Sequence, residues 1–504
     1  MVASRREFVS KLLAAPLATI PASKLFHPFA LFSSDDLQQR LAADPLRPQF
    51  HLLPAKNWMN DPNGPIFWNG MYHMFFQYNP NAAVWGDMHW AHAVSPDMIH
   101  WRHLPIALAP TPGWADADGC FTGSAVDDRG TASIVYTGVR SSTPETATLR
   151  DGTHTFREVQ CLATSADAQL RTWTKWKNPI IEPPADPLLT GFRDPFLWRD
   201  RYVWYLGVGS GIRKQGGRVL LYRSKNLRQW EYLHPLVSGK WTGRESTNPV
   251  DSGEMWECPD FFPLGSKHVL LYSTAGKVIW ETGDLDAKDL VFHSLRSGVL
   301  DHGTYYAQKT QLDSKGHRIL WGWIPETRPE AEFSAAGWAG CMALPRVLSL
   351  NAQNDLEMRA APVAQSLRKR KLATVTLAGS SEARSGAIRA MAIQNLAGEL
   401  LWKTGPEPSS LTIADSAGPW WSMKVAQSGS NIILQVNEKA VELRAKSTGE
   451  IKFHLLLDAS VAEFFCNDLH VVTSRIYRKT DGPLRIQMND SDGSAVKELA
   501  CNLR

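Results

Sequence analysis

The chain has 504 residues, enough for two or three domains with ample material for a core. Its hydrophobic content of 43% is ordinary for a globular protein, whereas its 20 tryptophans are not. Net charge is +4, but residues 1–34 carry +3 of it (Arg5, Arg6, Lys11 and Lys24 against Glu7), which leaves +1 for the rest and implies no basic face for nucleic acid.

Residues 1–34 read as an export signal. Ser4-Arg5-Arg6-Glu7-Phe8-Val9 precedes the apolar run Leu12-Leu13-Ala14-Ala15-Pro16-Leu17-Ala18-Thr19-Ile20. That run is too short to span a bilayer and no other is long enough, so no membrane span is expected. The paired arginines resemble a bacterial twin-arginine signal, which implies a periplasmic or extracellular protein. Pro16-Leu17-Ala18 and Pro21-Ala22 offer small-residue cleavage sites, and Asp35 to about Pro48 is a polar lead-in. The six cysteines are scattered without a CxxC and are expected as buried small hydrophobes; Cys466 and Cys501 are a candidate pair within one domain.

Residues 45–355 read as short strands and turns. Tyr72–Tyr78, Ser133–Thr137 and Tyr202–Leu206 are strand-like, and no long amphipathic helix interrupts them. A degenerate repeat places a strand, a Ser-x-Asp/Asn turn and then a tryptophan at Ser95-Pro96-Asp97 with Trp101, Ser165-Ala166-Asp167 with Trp173, and Ser224-Lys225-Asn226 with Trp230. Its spacing of 70 and then 59 residues is that of a β-propeller blade. Residues 356–372 form a connector with a basic, helical-looking stretch, Gln365 to Lys371. Residues 373–504 alternate with period two, as in Asn431–Val436, Ile451–Leu457 and Leu469–Tyr477, and read as a β-sandwich.

Three carboxylates stand in aromatic, proline-punctuated settings. Asp61 lies in Asn57-Trp58-Met59-Asn60-Asp61-Pro62-Asn63-Gly64, where Pro62 restrains it to extended shapes and Asn63-Gly64 signals a turn. Alone, this stretch reads as an Asx turn. Arg193-Asp194-Pro195 repeats the carboxylate before a proline, and Met255-Trp256-Glu257-Cys258-Pro259-Asp260 sets a glutamate between tryptophan and cysteine. Such a trio suits glycoside cleavage, with one group to attack, one to donate a proton and one to stabilise positive charge. Met88-His89-Trp90-Ala91-His92 carries two histidines three apart on a strand pattern. They need not share a face, no third ligand is apparent, and no metal or cofactor is expected.

These three stretches resemble the signature boxes of glycoside hydrolase family 32, the β-fructofuranosidases. The same holds for Phe76-Gln77-Tyr78-Asn79-Pro80, Val84-Trp85-Gly86-Asp87, Phe121-Thr122-Gly123-Ser124-Ala125 and Asp301-His302-Gly303-Thr304-Tyr305-Tyr306-Ala307. They follow the family's order, and the resemblance runs from about His51 to the C-terminus. Leu457-Asp458-Ala459-Ser460-Val461-Ala462-Glu463-Phe464-Phe465 resembles the family's sandwich signature, whose expected role is to cover propeller surface.

The resemblance implies an all-β chain, a five-bladed β-propeller followed by a C-terminal β-sandwich. It also implies a nucleophile at Asp61, a transition-state stabiliser at Asp194 and an acid/base at Glu257. Trp256 and Pro259 are expected to exclude water from Glu257, and Arg193 to keep Asp194 ionised. A retaining reaction requires about 5–5.5 Å between the Asp61 and Glu257 carboxyls. Sugar recognition is expected from Asn60, Gln77, Trp85, Phe121, Thr122, Ser124 and Arg193. Phe121-Thr122 departs from the Trp-Ser of plant invertase relatives. Tyr305 or Tyr306 is expected to hydrogen-bond near the nucleophile, and Tyr305 is placed with the sugar-binding residues.

Glu158-Val159-Gln160 resembles the plant-type branch, which holds invertases and fructan exohydrolases. Ser273-Thr274-Ala275-Gly276-Lys277 lacks the acid that sucrose-preferring plant relatives carry nearby, which weakens a sucrose-only reading. The expected activity is retaining, exo-acting hydrolysis of terminal β-D-fructofuranosyl bonds of sucrose and short fructans. Its rivals are a fructosyltransferase on the same scaffold and a carbohydrate-binding propeller without turnover.

Overall fold

A computed structural model describes residues 34–368, 370–376, 392–393, 396–428, 431–443, 450–479, 482–490 and 496–503. The expected export signal, apart from Ser34, lies outside the described residues, and the Cys501 side chain of the candidate Cys466–Cys501 pair lies outside them too. Among the described residues, no helix is long and apolar enough to cross a membrane.

Between Asn57 and Ala360 the chain lays down five mainly antiparallel sheets in succession. Their first strands are Asn57–Trp68, Gly119–Asp128, Leu189–Asp200, Glu257–Leu264 and Tyr306–Leu312. Each touches the next and the fifth touches the first, so the first strands close a ring. Trp338–Ala339, which lies between the strands Arg318–Ile324 and Arg346–Leu350 of the fifth sheet, pairs in parallel with Asn57-Trp58 of the first.

The apolar runs explain why the sheets stack on both faces. Side chains alternate across a strand, so consecutive apolar residues serve two different cores. Phe75 packs with Ile134 and Tyr136 of the second sheet, whereas Met74 and Phe76 pack with Ile319 and Trp321 of the fifth. Val135 packs with Leu206, Val208 and Leu220 of the third sheet, while Val219 and Leu221 face Phe261 and Leu270 of the fourth. Val269 and Leu271 then join the cluster that holds Leu320 and Trp323 of the fifth. A sheet buried on both faces needs hydrophobic runs rather than strict alternation, which is what Phe75-Phe76, Ile134-Val135 and Leu270-Leu271 supply.

The repeat in the sequence is one turn made three times. Ser95, Ser165 and Ser224 each accept from the backbone N–H two residues on, at 3.2, 3.1 and 3.1 Å. Trp101, Trp173 and Trp230 each donate their indole N–H three residues back, to the carbonyls of Met98, Leu170 and Leu227. Those three acceptors all have left-handed φ, at 68°, 55° and 58°. Asp286 heads a related turn in the fourth sheet, but without the serine and tryptophan that make the others visible in sequence.

The basic connector is a short 3₁₀ helix, Pro362–Leu367, followed by a strand from Arg370. The fifth sheet ends at Ala360, inside the stretch read as connector. Beyond it, two six-stranded sheets share one core, in which Leu400, Trp402 and Phe464 of one meet Leu411, Ile413 and Trp421 of the other.

A buried charge cluster joins the two units. The His51 ring bridges the Asp458 and Glu463 carboxylates at 2.8 and 3.0 Å, all at zero side-chain exposure. Arg346 bonds Asp301 at 2.9 Å and Glu463 at 2.6 Å. Backbone N–H groups of Gln49, Phe50 and His51 converge on Asp458, so the stretch before the first strand is pinned to the far unit. Gly303 is required in this contact: a Cβ there would lie 1.9 Å from the Thr473 carbonyl oxygen.

Candidate active site

The site lies where the five first strands all break register. Shifts fall between Met59 and Pro62, Cys120 and Gly123, Arg193 and Phe196, Glu257 and Asp260, and Tyr306 and Lys309. Proline explains three of them: Pro62, Pro195 and Pro259 cannot donate to a ladder. At Gly123 a Cβ would lie 2.1 Å from the Val135 carbonyl oxygen, so the strand closes in there only without a side chain. Asp194, Cys258 and Ala307 adopt left-handed φ of 64°, 48° and 53°. Bulges re-aim side chains, and these turn Asp61, Asp194 and Glu257 inward at one level of the ring.

All three carboxylates are buried, at 0, 0 and 1% exposure. The plane of Asp61 is fixed by Asn60 Nδ2 on Oδ1 at 2.9 Å and by the Thr122 hydroxyl on Oδ2 at 2.6 Å. Asp194 Oδ2 accepts the Cys258 backbone N–H at 2.9 Å. The Cys258 thiol sits 3.6 Å from Asp61 Oδ2 and 3.5 Å from Asp194 Oδ2, which ties the two aspartates to one atom. Burial, followed by the charges of Asp194 and Asp61, pushes that thiol far above its ordinary range, so it stays protonated.

Glu257 is held from two sides. Arg193 donates to Oε1 from Nε at 3.1 Å and Nη2 at 2.9 Å, and the Tyr306 hydroxyl donates to Oε2 at 2.9 Å. Arg193, expected to act on Asp194 by its charge, does feel the Asp194 carboxylate, while its guanidinium hydrogen bonds go to Glu257 and Glu158. Tyr305, named with the sugar-binding residues, has its ring under Arg346, 4.4 Å from the guanidinium carbon. Adjacent strand residues point to opposite faces, and Tyr306 takes the inward one. Trp256 packs into the core between the third and fourth sheets, its ring stacked on Tyr272 at 3.8 Å.

Of the residues expected to bind sugar, Asn60 and Thr122 are hydrogen-bonded to Asp61 itself. Gln77 is buried and donates to the Cys120 carbonyl at 2.9 Å. Trp85 is half-buried and meets Phe121 edge-on at 6.1 Å and His154 at 5.0 Å, forming an aromatic wall. Ser124 is set apart, its hydroxyl donating to the Pro195 carbonyl at 2.9 Å.

Sequence reading passed over Thr137, whose hydroxyl accepts the Asp194 N–H at 3.0 Å, and Glu158 as a partner of Arg193. It also passed over Lys309, a buried lysine 3.3–3.5 Å from Ser124 Oγ and the Pro195 and Pro259 carbonyls. None of the three stands out in its own stretch: Lys309 lies between Gln308 and Thr310 in a strand that is already polar.

His73 and His92 share a hydrogen bond of 2.9 Å, while His89 turns to the Asp87 carbonyl, so the two histidines three apart part company. Among the described residues, no three or more His, Cys, Asp or Glu side chains are grouped to hold a metal ion.

Comparison with known proteins places this geometry. Residues 51–362 match the family model described as the glycosyl hydrolases family 32 N-terminal domain, and residues 422–501 match the family 32 C-terminal model. The chain is 33% identical over 508 residues to a sucrose-6-phosphate hydrolase of Zymomonas mobilis, covering 92% of this chain and 94% of that protein. It is also 33% identical over 488 residues to a raffinose invertase of Escherichia coli, covering 89% and 93%. Among solved structures, the Bombyx mori β-fructofuranosidase BmSUC1 superposes with a TM-score of 0.73 at 28% identity, covering 93% of this chain and 98% of that one. Fructan 1-exohydrolase IIa from Cichorium intybus gives 0.74 at 26% identity, covering 91% and 97%. The chain belongs to glycosyl hydrolase family 32 and is a glycoside hydrolase.

Proposed function

We propose that this protein is a retaining, exo-acting β-fructosidase that releases terminal fructose from sucrose and short fructans. One observation carries the reading: two aspartates joined through the Cys258 thiol, and a glutamate held by Arg193 and Tyr306, meet at one end of a ring of five strands. We read the ring as the axis of a five-bladed propeller and the last two sheets as a β-sandwich that covers its side.

In this reading Asp61 attacks the anomeric carbon, and its fixed carboxylate plane gives the attack one line. Glu257 gives its proton to the leaving oxygen, and Asp194 stabilises the positive sugar ring. Water then attacks the fructosyl–Asp61 ester and returns a proton to Glu257. Trp85 and Phe121 wall the sugar, with Gln77 beside them. No metal or cofactor enters the scheme. The N-terminal signal makes the enzyme an exported one.

The names of the curated relatives favour one second substrate, sucrose 6-phosphate. Purified protein would be incubated with sucrose, sucrose 6-phosphate, 1-kestose, inulin and levan, beside an Asp61→Ala control, and the products separated by chromatography. Free fructose from wild type and none from the variant supports hydrolysis and ranks the substrates. Longer oligosaccharides in place of free fructose would move the answer to transfer, and no product from any substrate would overturn the reading.

A further inference from the structure

Arg193 is buried at 1% exposure and divides its guanidinium between two carboxylates. Nη1 donates to Glu158 Oε1 at 2.8 Å, while Nε and Nη2 donate to Glu257 Oε1. Glu158 comes from the second sheet, on the strand Thr155–Ser165, and is not on one of the five inner strands. Its other oxygen, Oε2, accepts the Phe192 backbone N–H at 2.7 Å and the Thr148 hydroxyl at 2.9 Å. The Thr148 hydroxyl also accepts the Glu158 N–H at 2.9 Å. Both Glu158 oxygens are thus committed inside the protein, and Glu158 itself is fully buried.

This matters for a proton donor. A guanidinium against a carboxyl favours its ionised form, and an ionised Glu257 cannot protonate a leaving oxygen. A second carboxylate on the same arginine acts the other way: it takes up part of the positive charge and adds a negative one nearby. We propose that Glu158 is a positioning residue for the proton donor: it fixes the edge that Arg193 presents and balances its charge, so that Glu257 keeps its proton until the glycosidic bond breaks. This rests on the reading of Glu257 as the acid/base.

Burial opposes the charge on Arg193, but Glu158 and then Glu257 and Asp194 outweigh it and raise its proton affinity above the ordinary range. The other groups facing the pair are Tyr306 on Glu257, and Cys258, whose thiol also feels Asp194, Asp61 and Lys309. Glu158 exchanges no proton. The proton passes from Glu257 to the leaving oxygen as that C–O bond breaks, and water restores it.

The test is the pH dependence of kcat/KM on sucrose for wild type, Glu158→Gln and Glu257→Gln, with thermal unfolding of each. Glu158→Gln removes one charge at nearly constant shape. Its alkaline limb should move to lower pH by on the order of one unit, with the rate largely regained at the acid end. A substrate whose leaving group needs no proton should show less of the loss. A rate lowered equally at every pH, with the limb unmoved, would overturn the inference. If Glu158→Gln does not fold, Thr148→Val removes only the hydroxyl that orients Glu158; a smaller shift in the same direction is expected, and an unmoved limb there overturns the inference too. Glu257→Gln separates the two readings. If it keeps the wild-type alkaline limb, the acid/base assignment falls. If it alone abolishes that limb, only the role of Glu158 falls.

Discussion

Two of the buried charge clusters among the described residues are built differently. At the ring end, Asp61, Asp194, Glu257 and Glu158 face two cations, Arg193 and Lys309. Between the units, Asp301, Asp458 and Glu463 face Arg346 and His51. With Glu257 as the proton donor the formal excess is one negative charge in each, and backbone N–H groups add to the balance in both: those of Cys258 and Phe192 in the first, and those of Gln49, Phe50, His51, Gly303, Leu344 and Thr473 in the second. The ladder differs as well. Glu463 sits in a strand that pairs in unbroken register on both sides, whereas every ring-end carboxylate from a first strand sits at a register shift. Charge on regular strands holds two units together, whereas register shifts on the first strands gather three carboxylates from three sheets at one place.

This contrast can be broken by substitution. Asp61→Ala should lower kcat by about 10⁴-fold or more, with thermal stability unchanged or raised, because one of several crowded carboxylates leaves. Initial rates and calorimetry on one preparation check both halves. Arg346→Met should do the opposite. Removing one partner of a buried ionic cluster costs about 3–5 kcal/mol, read by guanidinium unfolding, while kcat of the folded fraction stays near wild type.

The joining cluster also has a pH signature. Burial opposes charge on His51, but hydrogen bonds and charges from Asp458 and Glu463 hold its folded pKa at about 9, against an ordinary 6.5. A raised pKa gives stability that is full below pH 6.5 and lost as pH rises through 9. The amount is about 3 kcal/mol for a buried group. Glu463 runs the other way: burial raises it, but Arg346 and His51 pull it down to about 2, so its contribution is present above pH 4.5 and lost as pH falls through 2. The melting temperature should therefore plateau between about pH 4.5 and 6.5 and decline toward 9, and His51→Gln should flatten the alkaline decline. A decline of the same size in that variant would refute the clamp.

The smallest effect sharpens the comparison most finely, because the two neighbours Tyr305 and Tyr306 belong to different clusters. Tyr306→Phe removes a hydrogen bond to Glu257 and should lower kcat about tenfold. Tyr305→Phe leaves the ring over Arg346 and should leave kcat unchanged. Equal losses from both would mean that the inward face has been assigned to the wrong tyrosine.

The pair also shows where sequence reading stops. Asp61, Asp194 and Glu257 stood out as candidates because proline and aromatic punctuation is local, and local chemistry is written in consecutive residues. The short strands and the serine–tryptophan turn were legible for the same reason. Which of Tyr305 and Tyr306 points inward depends on strand phase beside a register shift, which no single stretch encodes. Glu158 meets Arg193 from 35 residues away and His51 meets Asp458 from 407, so neither pairing leaves a mark in either stretch alone. Asp301-His302-Gly303-Thr304 was read among the family's signature boxes, and Asp301 and Gly303 serve the joint between the units.

The central claim is that Asp61 forms a covalent fructosyl ester. The most direct measurement is mass spectrometry of peptides after rapid acid quench of Glu257→Gln turning over a β-fructofuranosyl substrate with a leaving group that needs no proton. The account predicts one added fructosyl residue on the peptide that contains Asp61, absent from Asp61→Ala. Turnover without any adduct, or an adduct on a peptide that lacks Asp61, would contradict it.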